Sequence, residues 1–159
     1  MIPRFGPAPL RARHYTMRPG AYALLPLGDR VLITRQLGDE DEFQLPGGGI
    51  DPGECPLRAL HREVYEETGY RIATPRRLGA FRRFVYMPEY DLWAEKLCHI
   101  YVARPTLRVG PPLEPLHEVH WLPRADVPEL LSNSGDRAFA RMMLSSRPDW
   151  SYPGLSSPK

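Results

Sequence analysis

The sequence predicts an α/β domain, a mixed β-sheet with helices packed on it. Three observations carry that expectation. AYALLPL (21–27) and RVLITRQ (30–36) are rich in apolar and β-branched residues, and Gly28-Asp29 between them marks a β-hairpin. Between Pro56 and Gly69, Leu57, Leu60 and Val64 recur at helical spacing. RRLGAFRRFVYM (76–87) and KLCHIYVARP (96–105) then read as a long pair of strands joined by PEYDLWAE.

Taken in order, residues 1–17 read as an N-terminal arm or leading loop. After the first hairpin, DEFQLPGGG (41–49) reads as a short strand that ends in a glycine loop. Pro56 suits the first turn of the helix, where a missing N–H costs nothing, and Gly69 suits the position just past its end. Leu57, Leu60 and Val64 should face the core. Further on, EVHWLP (118–123) is a strand candidate and DVPELL (126–131) a short helical turn. DRAFARMMLSS (136–146) reads as a second helix with Phe139, Met142 and Met143 as its apolar stripe. SYPGLSSPK (151–159) reads as a frayed tail, so residues 1–159 are expected to form one domain.

Composition narrows the function classes. A formal net charge of +2 is too small to argue for nucleic acid by itself. The longest strongly apolar run, residues 21–27, is far too short to cross a bilayer and contains a proline. The N-terminus is rich in Pro and Arg and lacks the apolar stretch of a signal peptide. Cys55 and Cys98 cannot build a disulfide framework, which points to a soluble protein of the reducing cytoplasm.

The first helix carries the chemistry. At about 100° per residue, Glu67 falls about 40° from Glu63, and Glu66 about 60° to the other side. Leu60 and Val64 border that arc. Carboxylates three and four apart repel by roughly 0.2–0.5 kcal/mol per pair, so the arc needs a reason. A hard divalent cation supplies one, because Mg²⁺ takes oxygen ligands from one or two carboxylates, water and substrate phosphate. The upstream glycines add a backbone carbonyl and room for a phosphate to approach.

Gly48, Glu54, Arg62, Glu63, Val64, Glu66, Glu67, Gly69 and Tyr70 stand at the spacing G-x5-E-x7-R-E-U-x-E-E-x-G-U, where U is a bulky apolar residue. This stretch resembles the signature of the Nudix hydrolases. Tyr70 is aromatic where an aliphatic residue is commoner. The resemblance implies an α/β/α sandwich around a mixed β-sheet. It also implies Mg²⁺- or Mn²⁺-dependent hydrolysis of a nucleoside diphosphate linked to another group.

Residue by residue, the resemblance makes Glu63 and Glu67 the principal metal ligands and Glu66 a further ligand or a polariser of metal-bound water. The Gly47 carbonyl resembles the backbone ligand. Arg62 and Glu54 resemble partners that orient the carboxylates by charge-assisted hydrogen bonds. A general base often comes from a later loop in this family; Glu89, Glu95, Glu114 and Glu118 are candidates, with Glu95 marginally favoured. Gly48 and Gly49 are expected to border the substrate phosphates.

Substrate marks are fainter. Tyr86 lies 16 residues beyond Tyr70, which resembles dinucleoside polyphosphate hydrolases. Phe84, Tyr86, Tyr90 and Trp93 could stack a base, and Arg82 or Arg83, Arg76 or Arg77, could hold distal phosphates. Neighbouring strand residues point to opposite faces, so at most one arginine of each pair should reach the site. ADP-ribose, nucleotide sugars and nucleoside triphosphates remain alternatives. RNA ends share the same chemistry, but the arm RARHYTMR (11–18) is a poor basis for nucleic-acid binding. A nucleotide sensor that does not cleave is the alternative of another class, and a homodimer stays open.

Overall fold

The computed structural model describes residues 1–145. Its strands are β1 (Thr16–Leu27), β2 (Arg30–Gln36), β3 (Glu42–Gln44), β4 (Gly47–Gly49), β5 (Tyr70–Met87), β6 (Leu92–Arg108) and β7 (His117–Pro123). Its α-helices are α1 (Pro56–Thr68), α2 (Val127–Leu130) and α3 (Ser134–Ser145). The strands form one mixed sheet with the order β3-β2-β1-β6-β5. β1 and β6 run parallel, and the remaining pairings are antiparallel.

Successive side chains of each strand point to opposite faces of the sheet, and both faces are covered. Ala21, Ala23 and Leu25 of β1, with Leu32 of β2, meet Ala59, Leu60 and Val64 of α1 on one face. Leu24, Val31 and Ile33 join Phe81, Ile100, Val127, Leu131, Ala140 and Met143 on the face held by α2 and α3. Burial on both sides explains why these runs read as continuously apolar. The result is an α/β/α sandwich, the expected architecture.

One edge of β1 is shared. Its second half pairs with β2 through Leu25↔Leu32 and Leu27↔Arg30. Its first half pairs instead with β4, through Gly20↔Gly49 and Tyr22↔Gly47. β7 pairs along β2 on the far side. This fork in the sheet lets a cleft reach both arms.

Several local expectations need correction. The glycine stretch is a short strand, because its backbone pairs with β1 and does not hang open. Leu57 is 43% exposed, since in its turn only Ala59 and Leu60 reach the core. In α3 the buried stripe is Asp136, Ala140 and Met143, with Phe139 half-buried against the core as expected, while Met142 is 55% exposed. That stripe follows the i, i+4, i+7 spacing of one helical face. Ser146 and the tail at 151–159 lie outside the described residues.

The N-terminal arm is anchored to the sheet. Phe5 N–H donates to the Arg82 carbonyl, and Arg82 N–H to the Pro3 carbonyl, each at 2.9 Å. The Phe5 ring stands edge-on to Phe81 at 5.6 Å. Arg13 stacks 3.6 Å from the Trp93 ring, and Tyr15 packs on Phe84. The arm therefore protects the β5 edge from further strand pairing.

Candidate active site

α1 ends at Gly69, whose φ of +74° places it in the left-handed region that favours glycine. Helix C-termini leave carbonyls without intrahelical partners. Here the loop before β7 supplies donors: Leu113 N–H reaches the Glu66 carbonyl at 2.7 Å, and Val109 N–H reaches the Gly69 carbonyl at 2.8 Å. Those bonds bring Glu114 and His117 over the acidic edge of α1. Oxygens of Glu63, Glu66 and Glu114 lie within 4.8 Å of one another, as do ligand atoms of Glu67, Glu114 and His117.

Arg62 organises one side. Its guanidinium donates to both Glu54 oxygens at 2.9 and 2.8 Å, to Glu63 at 2.7 Å, to Glu66 at 3.4 Å and to the Gly49 carbonyl at 3.0 Å. The Arg62 bonds, with Asp51 N–H, hold the Glu54 carboxyl down at about 2. Glu67 accepts a hydrogen bond from Gly47 N–H at 3.1 Å. Burial nevertheless pushes the Glu67 carboxyl well above its ordinary range, and burial outweighs Arg62 in raising Glu63. Buried carboxylates that resist ionisation fit a site completed by a cation, and their oxygen donors suit Mg²⁺ or Mn²⁺.

Glycine is required where strand and helix meet. A Cβ at Gly48 would fall 2.3 Å from a Glu63 carboxylate oxygen and 2.5 Å from its Cδ. Arg62 holds that carboxylate, so it cannot simply swing away. Gly48→Ala should weaken Mn²⁺ binding about 10-fold or more in a calorimetric titration. Wild-type affinity in that variant would separate Gly48 from the metal site.

The cleft has a volume of about 1080 Å³. Glu54, Glu63, Glu67, Glu114 and His117 line one part of it, beside Gly47, Gly48 and Gly49. Tyr22, Arg83, Lys96, Asn133 and Asp136 line another, and Tyr86, Glu89 and Tyr90 bring in the tip of the β5–β6 hairpin. Burial pushes the Asp136 carboxyl up to about 6 and pulls the Lys96 ammonium down. Asn133 Nδ2 donates to Asp136 at 2.6 Å.

Most of the expected site residues therefore come together. Glu95 does not: it pairs with Arg82 at 3.3 Å and does not line the cleft. The alternation of β6 explains this, since neighbouring Lys96 lines the cleft and Glu95 takes the opposite face. The same rule separates Arg83, which lines the cleft, from Arg82. Phe84 and Trp93 pack against Tyr15, away from the cleft, whereas Tyr86 lines it with its hydroxyl on Asp91. Arg77 lies beside His99. Glu114, one of four loop candidates, is the later-loop carboxylate beside the box glutamates, while Glu118 pairs with Arg35 and His120. Sequence reasoning missed His117, Lys96, Asn133 and Asp136; a histidine three residues after Glu114 was the only local signal.

A family model described as the NUDIX domain matches residues 16–143, and the chain belongs to the Nudix family. It is 33% identical over 125 residues to the CMP-5'-(N-acetyl-N-hydroxy-3-aminopropyl)phosphonate hydrolase of Streptomyces rubellomurinus, covering 74% of this chain and 58% of that protein. It is 48% identical over 56 residues to the RNA pyrophosphohydrolase of Halorhodospira halophila, covering 35% of this chain and 30% of that protein. The matches thus span less than two thirds of these relatives' length. The fold is similar to a MutT NUDIX hydrolase from Burkholderia pseudomallei, with a TM-score of 0.65, 22% identity, and coverage of 80% of this chain and 98% of that one.

Proposed function

We propose that the protein is a divalent-metal-dependent pyrophosphohydrolase acting on a nucleoside diphosphate linked to another group. The observation that carries this reading is the convergence of Glu63, Glu67 and Glu114, with Glu66 beside them, at a cleft large enough for a nucleotide. Membership of the Nudix family and the names of the two curated relatives support it.

Glu63, Glu67, Glu114 and the Gly47 carbonyl would hold Mg²⁺ or Mn²⁺. When bound, such an ion neutralises the diphosphate and lowers the pKa of a coordinated water. The chain's own residues do the rest. Arg62 and Glu54 keep the carboxylates aimed. Glu66, whose side chain is 32% exposed and grouped with Glu63 and Glu114, would be a further ligand or polarise the bound water. Gly48 and Gly49 let the phosphates approach the backbone, and Arg83 neutralises a distal charge.

Lys96, Asn133 and Asp136 provide donors and an acceptor suited to the edge of a base, with Tyr22 beside them. Tyr90 gives the cleft a second aromatic end. Two such ends suit a dinucleoside polyphosphate, and the relative named RNA pyrophosphohydrolase makes an RNA end the second reading. No helix among the described residues is long and apolar enough to cross a membrane. Exposed Cys55 and buried Cys98, both free, suit a reducing cytoplasm.

The test is a panel of dinucleoside polyphosphates, ADP-ribose, nucleotide sugars, nucleoside triphosphates and triphosphorylated RNA, assayed with Mg²⁺, with Mn²⁺ and with chelator. Metal-dependent phosphoanhydride cleavage of one class is expected. Tight binding of a panel member without cleavage would make the protein a sensor instead.

Asp136 offers a stability check on the polar end of the cleft. Its carboxyl is raised in the fold, so stability present below about pH 4 is lost as pH rises through about 6. Asp136→Asn should therefore gain stability relative to wild type at pH 7.5 but not at pH 4, by up to about 3 kcal/mol between the two. Urea melts at both values measure this, and an equal effect at both would refute the buried charge.

A further inference from the structure

We propose that His117 is a nitrogen ligand of the metal centre, bound through Nδ1 beside Glu114, and that it makes this part of the site prefer Mn²⁺ over Mg²⁺. The proposal rests on the metal-dependent reading above and goes beyond the carboxylates on which that reading stands.

The His117 side chain is only 10% exposed. Its Nδ1 is buried without a hydrogen-bond partner, yet stands 2.9 Å from a Glu114 oxygen. The other ring nitrogen, Nε2, faces a Glu67 oxygen at 3.3 Å. A neutral imidazole has one N–H and one lone pair. With the proton on Nε2, the Nδ1 lone pair has no protein donor and stands beside a carboxylate oxygen. Two acceptors in contact repel unless a cation lies between them. Ligand atoms about 2.1 Å from one ion stand roughly 3 Å apart in an octahedron, which matches the Nδ1 to Glu114 separation.

The surroundings repeat a common pattern. A histidine that ligates a metal usually gives its other N–H to a carboxylate, which fixes the tautomer and the ring orientation. Glu67 Oε1, 3.3 Å from Nε2, is the carboxylate oxygen on that side, and the contact leaves Glu67 free to serve as a metal ligand as well. Glu114 belongs to both close groups, one with Glu63 and Glu66 and one with Glu67 and His117. The first group is all oxygen and suits hard Mg²⁺. The second adds imidazole, which favours ions further along the transition series. An imidazolium bridging Glu67 and Glu114 with no metal is the competing account.

The experiment uses the whole protein, Mn²⁺ alone and no substrate. Pulsed electron paramagnetic resonance of the wild-type complex should show modulation from a directly coordinated nitrogen, lost in His117→Gln. Calorimetry should show Mn²⁺ affinity falling about 10-fold or more in that variant, and Mg²⁺ affinity falling less than about 3-fold. Bound Mn²⁺ without nitrogen coupling overturns the proposal, and this reading needs no variant to fold. Mn²⁺ binding that is lost in Glu67→Gln but unchanged in His117→Gln removes the nitrogen ligand and leaves the metal reading standing. Failure of wild type to bind Mn²⁺ at millimolar concentration would overturn both.

Discussion

Glu67→Gln is expected to lower turnover by about three orders of magnitude or more while the protein stays folded. Glutamine keeps the shape of the side chain and can still accept the hydrogen bond from Gly47 N–H. It brings no charge to a divalent ion, and several kcal/mol of transition-state stabilisation go with that ligand. The stability effect has the opposite sign. The Glu67 carboxyl is raised by burial, so its ionised form weakens the metal-free fold as pH rises through the raised value. At pH 7.5 and without metal, the melting temperature of the variant should therefore equal or exceed that of wild type. Steady-state kinetics with Mg²⁺, on whichever panel substrate is cleaved, together with thermal melts, measure both effects. Turnover within about 3-fold of wild type would remove Glu67 from the metal site.

Arg62→Met should lose activity and stability together, which distinguishes it from Glu67→Gln. Arg62 is the shared counter-charge of Glu54, Glu63 and Glu66 and also caps the Gly49 carbonyl. Without it these carboxylates face one another with no cation to hold them. Breaking a buried pair costs about 3–5 kcal/mol, and the 30% exposure of Arg62 lowers the expected loss to about 2 kcal/mol. Turnover should fall about 100-fold as Glu63 and Glu66 lose their aim. Arg62→Lys restores charge but not the forked geometry, so it should recover only part of either quantity. The acid limb provides a further sign. Glu54 is held down at about 2, so its contribution is present above its ordinary value of 4.5 and is lost as pH falls toward 2. That limb should flatten in Arg62→Met. A melting curve matching wild type across this range would show that the arginine cluster holds nothing in place.

Much of this arrangement is legible before any coordinates. The Gly28-Asp29 turn, Pro56 at the start of α1 and Gly69 at its end are local choices, and local chemistry decides them. The carboxylate arc is equally local, because helical periodicity alone puts Glu63, Glu66 and Glu67 side by side. Strand bounds were less legible. β5 and β6 run to Tyr70–Met87 and Leu92–Arg108, longer than the expected runs at 76–87 and 96–105, because pairing between them extends from Tyr70↔Arg108 to Met87↔Leu92. Leu57 and Met142 show the limit of periodicity: a residue on the apolar side stays exposed where nothing is packed against it.

The choice of Glu114 over Glu95 could not be made from sequence, because it depends on a loop tied to the end of α1 through the Glu66 carbonyl, some fifty residues away. Lys96 and Asp136 were invisible for the same reason, each being ordinary in its own neighbourhood, and His117 showed only as a histidine three residues after Glu114. What the sequence determined by itself is the α/β class, the helix with its caps, and the acidic arc, all set by interactions within a few residues. What only the tertiary structure decided is which distant groups complete the cleft. Strand alternation, the fork of β1 between β2 and β4, and the carbonyls left open at the end of α1 bring those groups together across the chain.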